Sequence, residues 1–519
     1  MAEAALFSVY DRAGAIELAG ALARNGWELY ATGGTCAHLR EAGLDVLEVG
    51  EVTGFPALFD GRVKTLHPKI FGGILADRAN PAHRAQAQEH RIPAIGIVVV
   101  NLYPFEATVA REGATLQEAI EQIDIGGVSL VRAAAKNYDN VTVLMDPSQY
   151  DEVKRAMPGG LDLAARRRLA MRAFERTAEY DAAIARYMEA GLLANELPGS
   201  LALSMPLSRP LRYGENPQLR AAFYLPREDK LPEQLWGKTL SYNNLLDLDA
   251  CLRLLVEAPI PDGLDRTKVR QGVARAAIVK HTIPCGVAQA PTPAEALRAA
   301  FDADPISAFG GIVTTDATID APAAHELSEY FLEIVAAPNY TDEALVLLKK
   351  KKNLRIMRFR SGFPREISDE LQVRSALGGV LAEDEDPNFA KEGWRVVSKR
   401  APTDAEWSDL FFAWDVVRHV KSNGIVIVRD GITRGICAGQ TNRVSAVRIA
   451  GERAAAFAQG AACASDGFFP FPDGLLAAAQ PGVSAVVAPQ GSIRDAQVIA
   501  AADASGIALV FSTHRYFLH

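Results

Sequence analysis

Residues able to move a proton or hold an anion recur beside glycine or proline in this sequence, and the sharpest group is Lys280-His281. The pair follows a small apolar run, Ala276–Val279, that reads as a buried strand, and it precedes Ile283-Pro284-Cys285-Gly286. Proline and glycine so close together predict that the strand breaks there. In open α/β folds ligands sit beyond the carboxyl ends of strands. Histidine can act as a base near neutral pH, and a lysine can stabilise a developing oxyanion. Neighbours on a regular strand face opposite ways, so both reach one substrate only if the backbone is already leaving the strand. A surface Lys-His pair is the plainer alternative.

Further candidates lie in the first two hundred residues. Thr32-Gly33-Gly34-Thr35 joins an apolar strand, Trp27–Ala31, to a helix over Cys36–Ala42, which is how backbone N–H groups are aimed at an anion. The loop Phe59–Pro68 carries Arg62, Lys64, Thr65 and His67, a set that suits a phosphate or an oxyanion and reads equally as a solvated basic loop. Asn101 and Tyr103 follow the buried run Ile97–Val100, and Asp124-Ile125-Gly126-Gly127 precedes a helix over Val128–Ala135 that runs into Lys136. Each alone is a turn; several together point to one shared pocket.

The elements that must position these residues alternate. Strands over Leu6–Val9, Trp27–Ala31 and Leu44–Val49 sandwich a helix over Ala13–Asn25 and the one after Gly34, so βαβαβ predicts a parallel, doubly wound sheet. Leu161–Leu193 reads as one long helix or two. Asn195–Ser208, with its prolines, marks a boundary between domains at 1–198 and 199–519. Beyond it come Leu211-Arg212-Tyr213-Gly214-Glu215-Asn216-Pro217, a helix at Pro293–Ala300 capped by Thr292, the Gly310-Gly311 turn before a strand at Ile312–Thr315, and a helix at Glu326–Ile334. Lys421-Ser422-Asn423, Gly439–Arg443 and the aromatic loop Ser465–Gly474 follow; that loop floors a flat ring or plugs a gap between domains. Two similar α/β units are expected around Ala276–Gly311 and Gly424–Gly474.

Composition bounds the rest. With 519 residues the chain exceeds one core. Its net charge of −8 disfavours a general nucleic-acid binder. Five scattered cysteines without a CxxC read as a reduced, cytoplasmic protein without disulfides or structural zinc. The N-terminus lacks a secretory pattern, and no apolar run is long enough for a membrane span.

The ordered motifs FDGRVKTLHPK, NLYPF, QIDIGG and RAAAKN, then LRYGENP, VKH-x-x-PCG, SAFGG, KSN, AGQ-x-x-R, SD-x-FFPF and GSIRD, make the chain resemble one family over nearly its whole length. That family is the bifunctional purine biosynthesis enzymes that join 5-aminoimidazole-4-carboxamide ribotide (AICAR) transformylase to IMP cyclohydrolase. The resemblance implies a methylglyoxal-synthase-like N-terminal domain and a C-terminal domain of two cytidine-deaminase-like α/β units without zinc. It implies formyl transfer from the co-substrate 10-formyltetrahydrofolate to AICAR, then dehydrative closure of formyl-AICAR to IMP. A homodimer with transformylase sites at the subunit interface, and no catalytic metal, also follow from it, beside the cytoplasmic location and the absence of nucleic-acid and membrane partners expected from composition. By the same resemblance Lys280, His281 and Asn423 carry formyl transfer, and Lys64, Tyr103, Asp124 and Lys136 carry closure. Nucleotide contacts map to Thr32, Gly33, Gly34, Thr35, Arg62, Val63, Thr65, Asn101 and Ile125. AICAR contacts map to Arg212, Tyr213, Gly310, Glu333, Phe468 and Arg515. Folate contacts map to Arg443, Val444, Asp473, Ser492 and Ile493.

The chain departs from the family pattern at Gln218, where a histidine that assists the transformylase is usual, and at Ile283, Pro472, Tyr10 and Phe71. Two alternatives stand beside this reading: a cyclohydrolase with an impaired or altered-donor second half, and a non-catalytic purine-nucleotide-binding regulatory protein. A zinc deaminase, hinted at by Pro284-Cys285, lacks the paired cysteine and the His-x-Glu it needs.

Overall fold

A computed structural model describes residues 3–59, 62–192, 197–225, 231–257, 267, 272–360, 362–368, 371–384 and 393–519. Asp60 and Gly61 of the basic loop, and Asn195 of the expected boundary, lie outside these. The chain divides into two compact units, 1–205 and 206–519.

The first unit is built on five strands: β1 (Glu3–Val9), β2 (Glu28–Ala31), β3 (Leu47–Glu48), β4 (Ala94–Asn101) and β5 (Thr142–Leu144). They pair in the order β3-β2-β1-β4-β5, all parallel. The expected doubly wound sheet is there, with β3 cut to two residues because a helix, Val49–Thr53, starts where the apolar run was read as strand. Burial on both faces explains why β4 reads as a continuous apolar run: Ile95, Val98 and Val100 pack on one face, Ile97 and Val99 on the other. Leu163–Leu192 is a single helix.

The second unit holds two ribbons and one large sheet. The ribbons are β6 (Leu207–Leu211) with β7 (Ala221–Tyr224), and β14 (Gln372–Ala376) with β15 (Gly379–Glu383). The sheet takes β8 (Glu233–Trp236), β9 (Ala274–Lys280), β10 (Ile283–Ala290), β11 (Ile312–Thr315), β12 (Ile334–Ala337) and β13 (Arg355–Arg358) from the first part of the unit. It takes β16 (Trp394–Val396), β17 (Ile425–Arg429), β18 (Ile432–Cys437), β19 (Ala462–Ser465), β20 (Ala485–Pro489) and β21 (Ala508–Ser512) from the second. The order is β16-β21-β20-β19-β17-β18-β10-β9-β11-β12-β13-β8. Read outward from the central β18–β10 pair, both halves give the same sequence: a hairpin, three mutually parallel strands, then an antiparallel edge strand. The repeat therefore spans 233–358 and 394–512, well beyond the two short units the motifs outlined.

Glycine explains part of this equivalence. A Cβ on Gly286 would stand 2.0 Å from the Ala300 carbonyl oxygen, and one on Gly435 2.0 Å from that of Ala450. In each repeat the second hairpin strand lies against its following helix at a distance only glycine allows.

Three expectations are corrected. Ile283-Pro284-Cys285-Gly286 does not end the sheet; it opens β10, with the register shift between Pro284 and Gly286 taking up the proline. The turn instead falls at His281 and Thr282, with φ of 56° and 60°. Glu326–Ile334 is not one helix: a helix covers Ala321–Ser328, and Ile334 begins β12, paired on both sides. Gly33 and Gly34 are not a free turn but the first turn of the helix Gly33–Glu41.

Candidate functional site

In the first unit, β1, β2 and β4 end around a cavity of about 980 Å³. Ten of the expected residues line it: Thr32, Gly34, Thr35, Arg62, Lys64, Thr65, Asn101, Tyr103, Asp124 and Ile125. Gly33 shares the helical turn of Gly34, and Val63 bridges to Leu58 in the basic loop. Two helices, Gly33–Glu41 and Gly126–Lys136, begin at this cavity, so their unpaired N–H groups and positive dipole ends face it. With Arg12, Arg62 and Lys64 also lining it, the cavity suits a phosphorylated anion.

Each side chain is held for a physical reason. Thr35 Oγ1 accepts from the Val9 N–H at 3.1 Å, tying the helix Gly33–Glu41 to the end of β1. Asn101 Oδ1 accepts from the Asp11 N–H at 2.8 Å, and its Nδ2 donates to the Asp11 carbonyl at 2.8 Å, fixing the loop after β1. Asp124 accepts from the Gly127 N–H at 2.7 Å. The two glycines after it leave room for these side chains: a Cβ on Gly126 would meet Thr65 Oγ1 at 2.8 Å, and one on Gly127 would meet Asp124 Oδ2 at 2.3 Å, so either would displace a residue of the cavity.

Burial pushes the Asp124 carboxyl up from its ordinary range, against the opposing pull of the Gly127 and Tyr103 N–H groups and the Lys64 charge. Burial, aided by the Asp124 charge, also raises the Tyr103 phenol, which keeps its proton at neutral pH. A carboxylate, a phenol and an ammonium thus act on one another in one pocket, the equipment for moving a proton while an oxyanion forms.

Not every candidate joins them. Lys136 ends the helix whose other end meets the cavity, about 15 Å away by helical rise, and it is exposed. His67 caps the helix Pro68–Leu75, its Nδ1 accepting from the Lys69 N–H at 3.1 Å. Ser8, near the end of β1, and Arg12, in the loop after it, also line the cavity; their place at a strand's carboxyl end, shared with Asn101, is the signal that points to them.

In the second unit the β9–β10 hairpin carries Lys280 and His281 at its tip. Lys280 Nζ donates to the Phe309 carbonyl at 2.8 Å, beside Gly310 (φ 74°), whose N–H bonds Phe331. The Glu333 N–H donates to the Gly311 carbonyl, and its carboxylate pairs with Arg355 at 2.6 Å. Lys280, His281, Gly310 and Glu333 therefore form one group.

Asn423 forms another, donating from Nδ2 to the Gln440 carbonyl at 2.7 Å. Nearby Ser422 bonds Asp466, which also holds buried Arg443. Arg443 donates to Ser465 as well, at 2.8 Å, so its charge is already spent within the fold. Phe468 and Arg515 stand by this group, Arg515 lying over Phe517 at 4.6 Å. Lys280, at the end of β9, and Asn423, just before β17, lie at the same end of the strands, with β10 and β18 between them, about 14 Å across.

The remaining candidates are placed singly. Arg212 covers the Tyr213 ring at 4.7 Å. Val444 packs on the second repeat's core, Asp473 accepts from the Gly474 N–H, Ser492 is bonded to Asp495, and Ile493 is fully exposed. Burial pushes the Cys285 thiol up to about 12, opposite to what a zinc-ligating thiolate needs. Among the described residues no His, Cys, Asp and Glu group has the makings of a metal site, and no helix is long and apolar enough to cross a membrane.

The profile of the AICARFT/IMPCHase bienzyme matches residues 134–453, and that of the MGS-like domain matches residues 14–129. The chain belongs to the AICARFT/IMPCHase bienzyme family. It is a bifunctional enzyme of purine biosynthesis, an AICAR formyltransferase and IMP cyclohydrolase. The bifunctional purine biosynthesis protein PurH of Dinoroseobacter shibae is 48% identical, over 99% of this chain and 98% of its own. PurH of a Synechococcus species is 49% identical over all of both chains, and PurH of Desulfitobacterium hafniense 46% over 99% of each. A solved structure, ForH, aligns with 36% of this chain and 97% of its own at 36% identity, with a TM-score of 0.33.

Proposed function

We propose that the two steps are divided between the two units, with closure of formyl-AICAR in the first and formyl transfer to AICAR in the second. The observation that carries closure is the cavity that gathers Lys64, Tyr103 and Asp124 beneath two helix N-termini. The phosphate of the nucleotide binds at Thr32–Thr35 and Arg12, and Arg62 and Thr65 contact the rest of it. Asp124 takes the proton released as the carboxamide nitrogen attacks the formyl carbon. Lys64 and Tyr103 steady the oxyanion before water leaves. Lys136 is left out of this set because of its distance.

In the second unit His281 serves as the base that deprotonates the AICAR amine, a weak nucleophile conjugated to its ring. Lys280 and Asn423 stabilise the oxyanion formed on the formyl carbon. The donor is 10-formyltetrahydrofolate, with Val444, Asp473, Ser492 and Ile493 on its side and Arg443 shaping that wall from within. Arg212, Tyr213, Gly310, Glu333, Phe468 and Arg515 hold AICAR. The enzyme works as a homodimer in the cytoplasm. The two groups at one end of the strands, about 14 Å apart, support this, because a second copy can set the Asn423 group of one chain against the His281 group of the other.

The test assays each step separately on the full chain. His281→Ala is expected to lose formylation of AICAR and to close supplied formyl-AICAR at the normal rate. If wild type closes formyl-AICAR but does not formylate with 10-formyltetrahydrofolate, the donor assignment fails, and Gln218→His and formate are tried next.

A further inference from the structure

The Lys280–His281 pair is presented by a turn that its own residues do not favour. Both turn residues have left-handed backbone, and neither is glycine or asparagine. Left-handed backbone is costly for such residues and persists only where its surroundings hold it. One bond is local: Thr282 Oγ1 donates to the His281 carbonyl at 2.7 Å. The other comes from far along the chain. The Thr282 N–H donates to Asp247 Oδ1 at 2.6 Å, from the helix Tyr242–Arg253.

The second repeat carries the same device. Asp409 stands five residues into the helix Asp404–Val417, as Asp247 does after Tyr242. Its two carboxylate oxygens accept from the Asp430 and Gly431 N–H groups, both at 2.8 Å, at the β17–β18 turn. That turn is Asp-Gly, a sequence that adopts the left-handed pair readily. In the first repeat the same support acts on His-Thr, where the turn chemistry gives no help.

We infer that Asp247 is a positioning residue for formyl transfer. Through the Thr282 amide it holds the left-handed turn that directs the His281 imidazole off the strand and keeps Lys280 and His281 usable together. The inference rests on the proposed roles of those two residues. It assigns no contact between Asp247 and substrate.

The experiment measures kcat and KM for AICAR formylation, closure of supplied formyl-AICAR, and thermal stability, all on the full chain. Asp247→Ala is expected to lower formylation kcat about 10- to 100-fold, the size of effect a displaced catalytic group produces. KM for AICAR stays within about twofold and closure is unchanged. Asp247→Asn keeps an acceptor at the same place and returns kcat to within about threefold of wild type. Asp247→Glu keeps the charge but moves the acceptor, and it is expected to lose kcat; it also serves if the alanine variant does not fold. Asp409→Ala, which removes the corresponding carboxylate and both of its turn bonds, measures what such a loss costs in stability at a turn without candidate chemistry.

Folded Asp247→Ala or Asp247→Glu with wild-type kcat would overturn the inference. So would a kcat loss in Asp409→Ala equal to that in Asp247→Ala at matched stability, or no rescue by Asp247→Asn. His281→Ala is run beside them: if it still formylates, the role of the pair falls, which is a different failure.

Discussion

The two repeats of the second unit share strand order, hairpin, helix-borne aspartate and glycine contact, yet only one carries candidate chemistry at its tip. The first has His281-Thr282 there and the second Asp430-Gly431. The second turn is what a hairpin of this geometry favours. The first retains left-handed backbone at residues that resist it, and a carboxylate from another helix compensates. The difference teaches where to look in a duplicated fold: at the copy whose local sequence disagrees with its own backbone.

The comparison is broken most severely at the tip itself. His281→Gly makes the first turn like the second. It is expected to lower formylation at least 100-fold, the range general base catalysis supplies, without lowering thermal stability, because glycine accepts φ near 56°. A large fall in melting temperature would show that the imidazole is structural.

Next come the glycines that set each hairpin against its helix. Gly286→Ala and Gly435→Ala place a Cβ 2.0 Å from a carbonyl oxygen in each case. Each should destabilise by about 2–3 kcal/mol, measured by denaturant unfolding, whichever repeat carries it. Unequal losses would contradict the equivalence of the repeats.

A third prediction separates them by pH. Both long helices open with a capping box, Ser241 with Asn244 and Thr403 with Glu406, but only the latter is ionisable. Bonds from Arg400, Ser484 and Thr403 outweigh burial and hold Glu406 at about 2. A depressed carboxyl stabilises above its ordinary pKa, and that contribution is lost as pH falls toward 2. Its worth is about 1–2 kcal/mol after allowing for the partial exposure of Arg400. Glu406→Gln should flatten the acid loss of stability; Asn244→Asp should introduce a new one.

The smallest effect is expected at Lys136, with Lys64 as its contrast. Lys64→Gln should lower the closure rate by removing the charge that steadies the oxyanion, and because that charge also pulls the Asp124 carboxyl down, the acid limb of the remaining rate should move to higher pH. Lys136→Ala, at the far end of its helix, should leave closure within about threefold. A Lys136→Ala loss as deep as that of Lys64→Gln would put the helix's far end in the reaction.

Much of the first unit was legible from residues. Short apolar runs separated by helical stretches allow little besides a parallel sheet, and polar residues at strand ends converge in such a sheet. Lys136 was matched by motif alone, and the helix Gly126–Lys136 sets it about 15 Å from the end that meets the cavity. The second unit was harder. Pro284 and Gly286 read as a break because the bulge that absorbs the proline depends on pairing with β9. His281-Thr282 carries no turn signature, and the carboxylate that makes it a turn lies 35 residues earlier. The sheet's continuity across β18–β10 rests on one pairing between distant segments, which no local pattern announces.

The central claim is that two separate sites on one chain perform successive steps. It is tested most directly by mixing His281→Ala and Lys64→Ala enzymes with AICAR and 10-formyltetrahydrofolate and measuring IMP. Each variant alone should make little or none, and the mixture should restore IMP, because one enzyme releases the formylated intermediate that the other closes. IMP from the His281→Ala variant alone, or none from the mixture while Lys64→Ala accumulates formyl-AICAR and His281→Ala fails to close it, would contradict the division.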